Sequence, residues 1–332
     1  MILSSIAPLD ERPEPLELVE RPVPEPGRGE LLVRVAMCGV CHTELDEIEG
    51  RTPPPSLPVI PGHQVVGTVE RGGEGVVGFA PGTRVGIGWI HSSDGGPEEN
   101  LSEAFRATGR DVDGGYAEYL TVPQDYAYPI PDELSDEDAA PLLCAGAIGF
   151  RALRLTGLTD GQRLGLTGFG ASGHLVLQLA RHLYPASDTY VFARDSAARE
   201  FALELGATWA GAAGERSPRS LHAIIDTTPA WRPVVEALAN LEPGGRLVIN
   251  AIRKEDADKD SLLDLRYEEH LWMEREIKTV ANITASDIKQ FLALAAAIPI
   301  RAKITTYRLE DANQALRDLR EGGGTGARVL VV

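Results

Sequence analysis

The chain has 332 residues, of which 43% are apolar and 24% charged, and its formal net charge is -17. Length and composition suit a soluble protein of two ordinary domains, and the acidic balance argues against a nucleic-acid or anionic-membrane partner, since both select a basic face. No apolar run approaches a bilayer span, the N-terminal stretch lacks the basic segment of a signal peptide, and the three cysteines, Cys38, Cys41 and Cys144, read as reduced thiols of a cytoplasmic protein.

In chain order, the first third is a series of short strands. The segments 29-GELLVRVAM-37 and 63-HQVVGTVE-70 alternate apolar and polar residues, and 83-TRVGIGW-89 and 114-GGYAEYLTV-122 are strand-like runs bounded by Gly and Pro. The stretch 91–105, HSSDGGPEENLSEAF, has no apolar periodicity and reads as an exposed loop. From Arg163 strands and helices alternate: strand 163-RLGLTG-168, helix 171-ASGHLVLQLARHL-183, strand 189-TYVFA-193, helix 197-AAREFALELGA-207, strand 223-AIIDTT-228, helix 231-WRPVVEALANL-241 and strand 245-GRLVINAI-252. Repeated strand–helix units imply an α/β fold with a Rossmann-type doubly wound parallel sheet, placed at 147–284. After Ala281 the tail gives a helix, a strand, a second helix and the strand 326-GARVLVV-332, and is expected to return to the first, largely β domain, making that domain 1–146 plus 285–332.

The segment 168-GFGASG-173 follows a strand and opens a helix, the context in which G-x-G-x-x-G binds a dinucleotide. Gly168 permits the tight turn, Gly170 lets backbone amides approach the pyrophosphate, and Gly173 lets helix and strand pack closely. The helix N-terminus then offers unpaired N–H groups and a favourable dipole. The next strand ends near Ala193-Arg194-Asp195, where the ribose-reading residue belongs. A guanidinium at Arg194 pairs with a 2′-phosphate, so NADP(H) is favoured over NAD(H). Asp195, one residue on, is the reader that would restore NAD(H).

Three further strings stand out: 38-CGVCHTELDEIEG-50, 61-PGHQVVG-67 and 141-PLLCAGAIGF-150. In this order, with the glycine loop after them, they resemble the medium-chain zinc-dependent alcohol dehydrogenases over nearly the whole chain. The resemblance implies a GroES-like catalytic domain, one catalytic zinc ion per chain held by Cys41, His63 and Cys144, and a fourth position open to water or alcohol. It also implies that Thr43 takes the alcohol proton, that His42 contacts the cofactor pyrophosphate, and that Trp89 walls a pocket for small primary alcohols. Read alone, Trp89 is equally a core aromatic. The implied activity interconverts alcohols with aldehydes or ketones by hydride transfer to the nicotinamide cofactor, in a homodimer or homotetramer. A polyol dehydrogenase, a zinc-free quinone or enoyl reductase, and an inactive nucleotide-binding scaffold are the alternatives.

Departures from the family pattern are informative. The region that in many members holds a structural zinc contains no cysteine here, with Ser102 where the last would fall. Gln64 stands where the family usually has glutamate, which removes a negative charge near the metal. Asp46 stands at the usual relay histidine, as a proton acceptor of lower ordinary pKa or as a plain surface aspartate. Cys38 has no ligand role in the pattern and is expected to serve packing.

Overall fold

The computed structural model describes residues 1–322 and 326–332. The chain folds as two compact units, Met1–Ala147 with Ile283–Val332, and Ile148–Asn282. In the first unit the long strand Glu30–Val40 pairs antiparallel with Gln64–Gly72, with Tyr119–Pro123 and with the tail strand Ala327–Val331. One strand serves three partners because Tyr119–Pro123 pairs with its first half and Ala327–Val331 with its last; against Gln64–Gly72 its register shifts at Leu32/Val33 and Val35/Met37, and such irregularities bend a strand away from a flat ladder. Leu31, Val33, Val65, Val85 and Leu120 meet in the core of this unit. The tail therefore returns to complete the first sheet, as its sequence suggests.

The second unit is a six-stranded sheet, wholly parallel. Its order is Trp209–Gly211, Asp188–Phe192, Arg163–Thr167, Leu221–Asp226, Leu241–Ile249 and Glu276–Thr279. The first strand in sequence, Arg163–Thr167, lies in the middle, flanked by Asp188–Phe192 and Leu221–Asp226. Chain direction across the sheet reverses there, and in doubly wound sheets dinucleotides bind outside the carboxyl ends of the strands at that reversal. Leu221, Ile224, Val234, Leu238 and Leu247 form the core of one face.

Two expectations need correction. The segment 91–105 is not a bare exposed loop: Ile90–Ser92 pairs with Arg106–Ala107, and the single turn Glu99–Leu101 carries a buried glutamate. Hydrophobic periodicity misses such a segment because a polar side chain, not an apolar face, anchors it. Nor is every apolar run short. Among the described residues one helical run, 136–156, has the length and a mean hydropathy of 1.2 that would cross a membrane, yet 72% of that stretch is buried inside the protein. It is a core helix, continued past Pro141 by the wider turn Leu142–Gly146.

Candidate functional site

Cys41, His63 and Cys144 come together within the first unit, their ligand atoms all within 4.8 Å of one another. Cys41 precedes the short helix His42–Ile48, His63 immediately precedes the strand Gln64–Gly72, and Cys144 sits inside the π-type turn Leu142–Gly146. A π-turn is uncommon and often marks a functional site, because its extra residue re-aims the side chains it carries. The Cys41 Sγ lies 3.7 Å from His63 Nε2, and tetrahedral zinc, with bonds of about 2.3 Å to sulfur and about 2.0 Å to nitrogen, sets such a pair roughly 3.6 Å apart. Two sulfurs and an imidazole at that spacing fit zinc, and three protein ligands leave a coordination position for substrate.

Behind the ligands lies a carboxylate that the sequence reading overlooked. Glu44 Oε1 is 2.5 Å from His63 Nδ1, and both side chains are fully buried. Glu44 Oε2 accepts the Cys41 N–H at 2.8 Å. One side chain thus orients two of the three ligands, the arrangement in which a partner on the far ring nitrogen fixes the tautomer of a metal-binding histidine. Burial raises the Glu44 pKa, but His63 and the Cys41 N–H outweigh it, and the carboxyl is held below its ordinary value. Burial lowers the His63 pKa, while Glu44 and Cys41 pull it up, with a net rise. For Cys41, the hydrogen bond with Cys144, burial and the nearby Glu44 together push the thiol well above its usual range. Binding of a cation there would displace the Cys41 proton. The available sequence signal was the spacing of Cys41 and Glu44, a capping box with a thiol in place of the hydroxyl.

The neighbouring residues fall as follows. Thr43 is half-buried, and its N–H points at Cys41 Sγ at 3.3 Å. His42 is exposed on the first turn of the same helix. Trp89 packs with its ring 6.2 Å from that of His63 and edge-on to Phe105 at 5.3 Å. Its indole N–H is buried with no partner among the described residues. Gln64 is buried opposite Gly39, where a Cβ would fall 2.6 Å from the Gln64 amide oxygen, so glycine is what leaves room for this side chain. Asp46 is buried with Oδ1 held by Arg51 at 2.6 Å. Cys38 is fully buried, and burial raises its thiol pKa well above normal.

In the second unit the glycine loop makes a tight turn ahead of a helix N-terminus. Gly168 has φ of 83°, a left-handed conformation that disfavours other residues, and a Cβ there would lie 2.7 Å from Thr227 Oγ1. A Cβ on Gly173 would meet the Gly168 carbonyl at 2.7 Å, whereas one on Gly170 would meet nothing within 4 Å. Open space thus lies before the helix Ala171–Leu183, whose N-cap, Gly170, supplies no side-chain hydrogen bond. The uncapped N–H groups of a 13-residue helix facing an open glycine turn fit a dinucleotide pyrophosphate.

The following strand ends at Phe192, leaving Arg194 exposed beyond it. Asp195 Oδ1 accepts the Ala197 N–H at 3.1 Å and so caps the next helix. Arg199 donates to the carbonyls of Ala193 and Arg194, each at 2.8 Å, and fixes the turn that presents Arg194.

Residues 27–132 match the family described as the alcohol dehydrogenase GroES-like domain. The Mycobacterium tuberculosis (strain CDC 1551 / Oshkosh) protein named "Probable alcohol dehydrogenase AdhA" is 43% identical over 329 residues, covering 96% of this chain and 93% of its own length. An alcohol dehydrogenase of Geobacillus stearothermophilus is 32% identical over 348 residues, covering 98% of this chain and 99% of that one. Among solved structures, a protein from Sinorhizobium meliloti 1021 bound to NADP and described as a "putative zinc-binding dehydrogenase" has a TM-score of 0.83 at 26% identity, over 93% of this chain and 94% of that chain.

Proposed function

Because the chain belongs to the medium-chain zinc-dependent alcohol dehydrogenase family, we propose that it interconverts small primary alcohols and their aldehydes, using one zinc ion and NADP(H). The observation that carries this reading is the convergence of half-buried Cys41, buried His63 and half-buried Cys144 in one cluster. When bound, zinc supplies Lewis acidity and the nicotinamide supplies the hydride acceptor or donor. The remaining work falls to side chains of this chain. Cys41 and Cys144 would hold the metal as thiolates, and Glu44 would keep the His63 Nε2 lone pair turned toward it.

The Thr43 hydroxyl takes the alcohol proton, and Asp46 is the next member of the relay, with Arg51 fixing its carboxylate. Trp89, packed against His63, is the apolar wall that limits substrate size. His42 contacts the cofactor pyrophosphate. Gln64 is uncharged, so the two thiolates and Glu44 carry the charge balance of the centre, which makes the metal more electrophilic.

The NADP(H) assignment rests on Arg194. It is the exposed charge at the strand tip, and the acid next to it in sequence, Asp195, is engaged as a helix cap. A guanidinium there attracts a 2′-phosphate. Metal content, together with cofactor reduction over a panel of short primary alcohols, tests the whole reading. The native protein is expected to carry one zinc and to prefer NADP. Arg194→Ala is expected to raise the KM for NADP about tenfold while leaving that for NAD unchanged. Full turnover in metal-stripped protein would refute the zinc, and a clear native preference for NAD would refute Arg194.

A homo-oligomer is supported by the free edge of the second sheet. All four residues of Glu276–Thr279, Ile277 among them, are exposed, next to exposed Trp272 and Met273. An edge strand rimmed by apolar side chains invites pairing with a second copy about a twofold axis. Sedimentation is expected to give a dimer or larger species for the native protein and a smaller one for Ile277→Pro. A native monomer at micromolar concentration would end this reading.

A further inference from the structure

Among the described residues of the second unit the most deeply buried ion pair is Lys254 with Asp226, 8% and 0% exposed. The ammonium donates to Asp226 Oδ2, to the Thr228 carbonyl at 2.8 Å and to the Ala230 carbonyl at 2.9 Å, so its three protons meet three acceptors. Asp226 Oδ1 in turn accepts the Thr228 N–H at 3.1 Å and the Thr228 hydroxyl at 2.8 Å. Asp226 ends the strand Leu221–Asp226, and Lys254 lies just beyond its neighbour Leu241–Ile249. The pair therefore ties together the two loops that leave the carboxyl ends of adjacent parallel strands. Backbone bonds from Asn250 to Asp226 and from Glu255 to Pro229, both 2.7 Å, run alongside it.

The clamped loop reaches the glycine turn directly. Thr227 donates to the Thr167 carbonyl through its N–H at 2.9 Å and its hydroxyl at 3.0 Å. The same hydroxyl oxygen lies where a side chain on Gly168 would be. An ion pair buried for stability alone is a poor solution, because apolar residues of equal volume serve as well or better. This one sits beside the reversal point of the sheet, linked through Thr227 to the glycine turn.

We propose that Lys254 is a positioning residue for the cofactor: by joining the loops after Asp226 and Ile249 it presets the wall they form beside the glycine turn, against which a bound nicotinamide dinucleotide rests. The inference rests on the dinucleotide reading above. Binding energy not spent on ordering loops appears as affinity, so loss of the clamp shows in cofactor binding apart from its effect on folding.

The test pairs thermal melting of the cofactor-free protein with fluorescence titration by NADPH and by NADH. Lys254→Met leaves Asp226 buried without its counter-charge, so the melting temperature falls and the Kd for the reduced cofactor rises about tenfold. The double variant Asp226→Asn/Lys254→Met removes the stranded charge, so most of the melting temperature returns while the Kd stays raised. A double variant that binds as tightly as the native protein would overturn the proposal, and it carries the test alone if the single variant does not fold. Native protein that binds neither NADPH nor NADH would instead remove the dinucleotide reading, and the clamp with it.

Discussion

Cys144→Ser protein is expected to fold, to lose its zinc and to lose at least about a thousandfold in kcat/KM. Serine is nearly the same size, so the buried turn Leu142–Gly146 is filled as before. Its hydroxyl, however, does not ionise near neutral pH and offers a poor, hard ligand where zinc prefers thiolate. The cluster has three donors in all, and with two left no closed set remains to retain the ion.

Glu44→Gln gives a graded companion. The amide still accepts a hydrogen bond, but the negative charge behind His63 is gone, and zinc affinity is expected to fall about ten- to a hundredfold. Metal loading also depends on pH. The Cys41 thiol sits above its ordinary pKa, so binding expels protons, and affinity weakens as pH falls. Zinc analysis of dialysed protein, circular dichroism and turnover measured on one preparation check all of this. A Cys144→Ser protein that keeps stoichiometric zinc and native turnover would remove the metal centre from the account.

How far these features could be read from residue order depends on what kind of interaction makes them. The glycine turn and its helix are local: spacing, a preceding strand and a following amphipathic run place them, and the helix Ala171–Leu183 is found where its leucine stripe predicts it. Cys41, His63 and Cys144 stand out because thiol and imidazole are rare here and sit in family-like strings. Glu44 was missed although it lies in one of those strings, since nothing local says that it touches a histidine from a different strand. Asp46 drew attention instead, and the structure engages it with Arg51. The segment 91–105 reads as an exposed loop for the same reason: the contacts that order it come from residues far along the chain. Pattern reveals faces and turns, whereas a single buried carboxylate leaves no periodic trace.

That buried carboxylate leads to the second large effect. Glu99 is 3% exposed. Its Oε2 accepts the Tyr126 hydroxyl at 2.8 Å, and its Oε1 accepts the Ala285 N–H at 2.6 Å. Ala285 opens the helix Ala285–Ala297, whose cap, Thr284, is occupied with the Asp287 N–H. Glu99 thus satisfies a further orphan donor and brings negative charge to a helix N-terminus, which the dipole favours. The Ser93 hydroxyl donates to the Glu99 carbonyl at 3.0 Å and closes the segment on itself.

One glutamate thus fastens this region to a distant hydroxyl and a distant helix. Glu99→Ala strands two donors, each costing about 1–3 kcal/mol when buried without a partner, so a loss of about 3 kcal/mol is expected. For a unit of this size that lowers the melting temperature by roughly 6–12 °C. Glu99→Gln keeps an acceptor and is expected to lose about half as much. Zinc content stays unchanged, since Glu99 touches none of the three ligands, while proteolysis within 91–105 accelerates as the segment opens. A Glu99→Ala protein that melts with the native one and resists cleavage there would show that the apolar packing around Phe105 and Trp89 holds the segment unaided.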